Sequence, residues 1–273
     1  HADIFPDLAS IETQFHHLVR TLPRNGLIVS NAMEANLERV LERGCWTPVD
    51  RFNVAGRWRA DGSDTDGSLH LLEGDDLVAS TNWGLTGAHN RSNAIAALLA
   101  ARHAGVPLQR GLAALSRFRN VKRRLELRGT AAGVDVYDDF AHHPTAIATT
   151  VAGLRSKVGC ARILAVVEPR SNTMKLGVMK ALLPASLAEA DLVFCYAANL
   201  DWSAAAALAP LADQAIVEND LVRLVARVAD VARPGDQVLV MSNGGFGGIH
   251  EKLLTALATK ESAQEVVHQQ CGE

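Results

Sequence analysis

Apolar positions set the first expectations. Ile4, Leu8, Ile11, Phe15, Leu18, Val19 and Leu22 recur at helical spacing, which predicts an amphipathic helix from Ile4 to Leu22 stopped by Pro23-Arg24-Asn25-Gly26. Leu27-Ile28-Val29 reads as a short buried strand. Asn31 is placed to cap a helix running through Leu41 and ended by Gly44. Trp46 to Asp66 has no sustained period and reads as loop, with Asp61-Gly62 and Asp66-Gly67 as turn signals. Leu69 to Leu72 and Leu77 to Thr81, separated by Glu73-Gly74-Asp75, predict an antiparallel hairpin. Helices follow at Ala94 to Ala104 and Val106 to Phe118.

After Gly133 the pattern changes to strand and helix in alternation. Strands are predicted at Val134 to Tyr137, Arg162 to Val167, Asp191 to Tyr196, Ala215 to Val217 and Gln237 to Met241. Helices are predicted at Pro144 to Lys157, Leu182 to Ala190, Asp220 to Ala229 and Gly248 to Ala258. Continuous apolar runs such as Ile163-Leu164-Ala165-Val166-Val167 suit parallel strands covered on both faces. The class is therefore α/β, with a Rossmann-like doubly wound sheet in the second half and a domain hinge near Asn120 to Arg124.

Composition narrows the function classes. The chain has 273 residues, 48% hydrophobic and 21% charged, which is enough for two ordinary α/β domains. A net charge of -3 argues against a nucleic-acid surface, and the basic run Arg117 to Arg124 is explained by a solvated face or an anion contact. Cys45, Cys160, Cys195 and Cys271 are scattered without a C-x-x-C pair, as expected of reduced thiols in a cytoplasmic protein. No apolar run approaches the roughly 20 residues of a membrane span.

Candidate chemistry gathers at strand ends. V-Y-D-D-F-A-H-H-P-T-A, from Val136 to Ala146, sets Asp138, Asp139, His142 and His143 on one strand-to-helix turn. In an open α/β sheet, ligands bind at such turns, outside the carboxyl ends of strands. Glu168 to Thr173 follows another strand, and Arg170 there offers a planar fork for a carboxylate. Ser242 to Gly248 follows a third, where glycines let backbone N–H groups approach a ligand. Earlier, Asn90 and Asn93 sit on neighbouring turns of a helix start, where paired amides suit a nucleobase or merely cap and solvate the helix. The aspartates and histidines also admit a plainer reading, a turn with one solvent-facing carboxylate, one buried ring and one exposed ring; a metal site built from both histidines and an aspartate is disfavoured, because adjacent residues on a turn seldom point at one ion. Gly244, Gly245, Gly247 and Gly248 lack the spacing of a dinucleotide fingerprint, which disfavours a Rossmann oxidoreductase.

The motifs together resemble the Mur ligases, ATP-dependent amide-bond-forming enzymes of peptidoglycan synthesis. G-A-H-N-R-S-N-A at Gly87 to Ala94, R-R-L-E ending at Glu126, and D-D-F-A-H-H-P-T-A occur in that family's order. E-P-R-S-N-T-M-K-L-G at Glu168 to Gly177 and M-S-N-G-G-F-G-G-I-H at Met241 to His250 resemble the branch acting in peptidoglycan recycling. That branch joins L-alanyl-γ-D-glutamyl-meso-diaminopimelate to UDP-N-acetylmuramate. The alternatives are the branch adding single L-alanine, which has arginines where this chain has Ser171 and Met174, and a non-catalytic nucleotide or peptide binding module.

The resemblance implies ATP and Mg2+ as cofactors, and UDP-N-acetylmuramate and a murein tripeptide as partners, with neither nucleic acid nor membrane. By position, Asn90 and Asn93 are expected at the adenine, Arg124 at the phosphates and Asp139 at the ribose. His142, His143, Arg170, Ser171, Asn172 and Thr173 are expected to face the incoming peptide, with His142 or His143 as the candidate base. His1 matches a family histidine that helps hold Mg2+. Residues 1–122 correspond to the carboxyl-terminal part of the central ATP-binding domain, and 123–273 to the acceptor-peptide-binding domain. A Walker-type G-K-T loop is absent, since no lysine follows a glycine. The expectation is a polypeptide missing the N-terminal part of its own chain, inactive alone and prone to self-association through an exposed sheet edge.

Overall fold

The computed structural model describes residues 4–270, with side chains through residue 262. The chain divides into two compact units, residues 1–120 and 121–273.

The first unit opens with α1 (Leu8–Thr21), whose N-cap Asp7 accepts from Ser10 N at 2.8 Å. β1 (Ile28–Asn31), α2 (Ala35–Glu42), β2 (Val49–Phe52) and β3 (Trp58–Asp61) follow, then the hairpin β4 (Ser68–Glu73) and β5 (Asp76–Asn82). The strands form one sheet in chain order, parallel from β1 to β3 and antiparallel from β3 to β5. α3 (Ala88–His103) and α4 (Leu108–Leu115) complete the unit; Ile95, Leu98, Leu99 and Leu112 pack against Phe52, Trp58 and Leu71.

Three expectations fail here for physical reasons. The stretch Trp46 to Asp66 contains two strands, because Phe52 and Trp58 are buried across the sheet while the polar pair Asp50-Arg51 hides any alternation. Asn31 does not cap α2. It ends β1, and its Oδ1 accepts from Met33 N at 3.2 Å and Asn53 Nδ2 at 3.1 Å. α3 starts at Ala88, six residues ahead of the Ala-rich run, with Gly87 at φ 93 as its N-cap.

The second unit contains β6 (Glu126–Ala131), β7 (Val134–Asp139), α5 (Pro144–Val158), β8 (Ile163–Val167), α6 (Asn172–Lys175) and α7 (Leu183–Ser186). It continues through β9 (Leu192–Tyr196), α8 (Ala204–Leu208), β10 (Ala215–Glu218), α9 (Leu221–Val231), β11 (Gln237–Met241) and α10 (Ile249–Gln270). The strand order is β10-β9-β8-β11-β7-β6, parallel except for the antiparallel edge strand β6. Alternate side chains of β8 serve opposite cores. Ile163, Ala165 and Val167 face Leu154 of α5 and Leu183 of α7, whereas Leu164 and Val166 face Leu224 of α9 and Leu253 of α10. This is the doubly wound sheet, covered on both faces. The helix expected over Leu182 to Ala190 shrinks to α7, preceded by a 3-10 turn at Lys180–Leu182 that Pro184 helps to end.

After β7 the chain builds outward through β8, β9 and β10, then α9 returns it to insert β11 between β8 and β7. That reversal leaves a crevice at the carboxyl ends of β8 and β11. Cys45, Cys160 and Cys195 are free thiols, and burial pushes the Cys195 thiol up to about 12; Cys271 lies outside the described residues. Among the described residues, no helix is long and apolar enough to cross a membrane.

Candidate functional site

The turn after β7 is held from within. Asp139 is 2% exposed. Its Oδ1 accepts from Ala141 N at 2.8 Å and Thr150 Oγ1 at 3.2 Å, and its Oδ2 from Leu125 N at 2.8 Å. A carboxylate so placed ties β7, α5 and the start of β6 together. Asp138 is equally buried, and faces two arginines and a histidine. Arg123 Nε is 3.4 Å from its Oδ2, Arg128 Nη1 is 3.7 Å away, and His250 Nε2 stands 3.3 Å from Oδ1 without hydrogen-bond alignment. Burial would raise the Asp138 pKa, but His250 and Arg123 outweigh it and hold the carboxyl below its ordinary value.

The two histidines differ. His142 Nδ1 is 2.8 Å from Phe140 O, and its ring meets Phe140 edge-on. His143 is the residue before Pro144, in extended backbone (φ -124, ψ 142), which starts α5 with proline in its first turn. Burial, with the neighbouring His142 charge, lowers the His143 pKa and favours its neutral form.

The turns after β8 and β11 join across the crevice. Ser242 Oγ donates to Glu168 Oε2 at 2.5 Å and accepts from Gly244 N at 2.9 Å. Arg170 lies on Gly244: a Cβ there would come within 2.7 Å of Arg170 Cζ and 2.8 Å of Cδ, so only glycine leaves the guanidinium its place. Ser171 caps α6, accepting from Met174 N at 3.3 Å. Asn172 is exposed, while Thr173 is buried. A cleft of about 290 Å³ opens beside them, lined by Glu168, Arg170, Lys175, Tyr196, Asn199 and Phe246. It sets two cations and one carboxylate over an aromatic floor, an arrangement suited to a ligand bearing carboxylates.

The structure thus brings Asp139, His142, His143, Arg170, Ser171, Asn172 and Thr173 to one rim, because β7, β8 and β11 run parallel in matched register. Asp139 and Thr173 turn inward there. Arg124 lies at the surface between the start of the unit and β6. In the first unit, Asn90 Nδ2 donates to Thr86 O at 2.7 Å, and Asn93 is exposed one turn further along α3. A cleft of about 430 Å³ beside that helix start is lined by Asn53, Arg91 and Ser92 among others. His1 lies outside the described residues, and among those described no group of three or more His, Cys, Asp or Glu is placed to hold a metal.

Sequence reasoning missed Arg123, Lys175, Tyr196, Asn199 and His250. Arg123 sits inside a basic run that reads as solvated, and nothing in the sequence signals its φ of 61. A larger cleft, about 600 Å³, is elsewhere, at the amino edge of the second sheet beside Arg162, Leu192, Arg233 and Lys260. Its Lys260 ammonium donates to Ala229 O, Asp230 O and Ala232 O at 2.8, 2.8 and 3.0 Å, closing the end of α9. Size therefore does not mark the site.

Known proteins resemble this chain over almost its whole length. Residues 123–244 match the model of the Mur ligase, glutamate ligase domain. The chain is 49% identical over 269 residues to the UDP-N-acetylmuramate--L-alanyl-gamma-D-glutamyl-meso-2,6-diaminoheptandioate ligase of Escherichia coli (strain K12). The Haemophilus influenzae enzyme of the same name is 44% identical over 263 residues. These matches take in 97% and 95% of this chain, which spans 59% and 58% of the length of those two relatives. The crystal structure of a murein peptide ligase from Psychrobacter arcticus 273-4 superposes with a TM-score of 0.69 at 39% identity, over 93% of this chain and 56% of that one. The chain belongs to the Mur ligase family.

Proposed function

We propose that this chain is the acceptor-side part of an ATP-dependent ligase that joins L-alanyl-γ-D-glutamyl-meso-diaminopimelate to UDP-N-acetylmuramate. The observation that carries the reading is the Arg170 guanidinium laid on Gly244 beside Glu168, at the crevice where the sheet reverses. A planar fork laid there presents paired donors to a carboxylate. The tripeptide carries several carboxylates, whereas a single L-alanine carries one. Lys175 adds a second cation to the same cleft.

Residues 123–273 act in this reading as the acceptor-peptide domain, and residues 1–122 as the carboxyl-terminal part of the ATP-binding domain. Asn90 and Asn93 meet the adenine and Arg124 the phosphates, whereas Asp139, expected at the ribose, is turned inward onto protein donors and braces the turn instead. ATP, when bound, supplies the phosphoryl group that activates the muramyl carboxylate. His1 is assigned to Mg2+ by family position alone. An attacking amine must lose a proton, and His143, kept neutral by burial, takes the role of acceptor at its free ring nitrogen. His142 and the Arg170 to Thr173 turn orient the peptide. Isothermal titration of this chain tests the reading. Heat from the tripeptide and none from L-alanine supports it, and the reverse contradicts it.

A further inference from the structure

The Arg123 side chain touches both the turn after β7 and the turn after β11. Its backbone adopts φ 61, an unfavourable region for a non-glycine residue. That conformation is fastened by two hydrogen bonds, Arg123 N to Glu126 Oε2 at 2.8 Å and Phe140 N to Arg123 O at 2.9 Å. The guanidinium stacks 4.9 Å above the centre of the Phe140 ring and pairs with Asp138. Its Nη2 donates to two carbonyls of the glycine-rich turn, Ser242 O and Gly244 O, the latter at 2.8 Å. Gly244 is the surface on which Arg170 rests.

From this chain of contacts we infer that Arg123 is a positioning residue: by clamping the carbonyls of Ser242 and Gly244 it fixes the seat of Arg170, and so the affinity of the cleft for acceptor carboxylate. The physical reason is that Gly244 has no side chain of its own to anchor it. A glycine turn is the most freely moving backbone in a protein, and a guanidinium resting on it is only as well placed as the turn. Beside the bond from Gly244 N to Ser242 Oγ, Arg123 supplies a second anchor, a cation that binds two carbonyl oxygens at once. Asp138 and Phe140 in turn hold the planar fork in the orientation that reaches both. The inference rests on the proposed acceptor reading for its ligand, but not for its geometry.

Two variants and one cross test it. Arg123→Met keeps the apolar stem of the side chain, removes the guanidinium and leaves Asp138 with Arg128 and His250 as partners. It is expected to weaken tripeptide binding to this chain about tenfold by titration calorimetry. Gly244→Ala pushes the flexible Arg170 side chain off its seat, with the same expected loss. In an Arg170→Ala background, Arg123→Met is expected to change affinity by less than about twofold, because the two residues act as one unit. An equal loss in both backgrounds, or no loss in the otherwise unchanged chain, overturns the inference. A ligand-free crystal structure of Arg123→Met separates this result from failure of the acceptor reading. Arg170 displaced from Gly244 supports the positioning role even if the tripeptide proves to be the wrong ligand. Arg170 still seated on Gly244 overturns it.

Discussion

A carboxylate taken out of water is costly unless donors replace its hydration, and Asp139 receives three of them from the protein. Asp139→Asn exchanges an oxygen acceptor for an amide donor against those groups, so it is expected to cost about 2 kcal/mol in urea unfolding. An unchanged midpoint would mean that the turn is not built on that carboxylate. His143 makes a pH prediction. Its lowered pKa means that the unfolded chain binds this proton more readily than the folded one. Stability from this residue is therefore present above its ordinary pKa of about 6.5 and is lost as pH falls through that value toward the folded one. Replacing His143 with Gln should flatten the fall in stability on acidification, and a slope equal to that of the parent chain would contradict the assignment. Residue identities at the rim were legible in the sequence because strand ends in an open sheet collect polar groups. The inward turn of Asp139 was not, since hydrogen bonds to Leu125 N and Thr150 depend on how β7, β6 and α5 pack.

Elements were readable where one physical signal dominated. β8 and β11 are continuous apolar runs and lie where the sequence places them, as do α9 and the β4 to β5 hairpin. β2 and β3 escaped because four-residue strands carry too few positions for a period, and their partners supply the order. The short α6 was missed for the same reason, as its start is fixed by a single cap at Ser171. Helix α5 is anchored by Leu154, fully buried against the sheet. Leu154→Ala is expected to cost about 3 kcal/mol without altering helix content by circular dichroism, and a loss below about 1 kcal/mol would show a loosely packed face. The turn leading to β4 depends on Gly62, at φ 141, where an added Cβ would lie 2.8 Å from the Ser68 carbonyl carbon. Gly62→Ala should destabilise the first unit by more than about 1 kcal/mol, read as a lowered thermal midpoint; a neutral result would mean that the turn can rearrange.

At the scale of the molecule, α1 presents an apolar face beside a buried charge. α1 buries Glu12, which is bound by Arg39 at 2.6 Å and Arg43 at 3.3 Å. Its apolar residues Leu8, Phe15 and Leu18 remain 48%, 50% and 58% exposed. An apolar stripe of that kind favours association, so sedimentation at rising concentration should show a self-association that Phe15→Glu weakens. A monomer at every concentration would contradict that. The most direct measurement of the central claim is a crystal structure of this chain soaked with L-alanyl-γ-D-glutamyl-meso-diaminopimelate. The account predicts a peptide carboxylate within hydrogen-bonding distance of Arg170, in the cleft between Glu168 and Phe246. Tripeptide bound instead at the amino edge of the sheet, near Arg162 and Lys260, with the Arg170 cleft left to solvent, would contradict it.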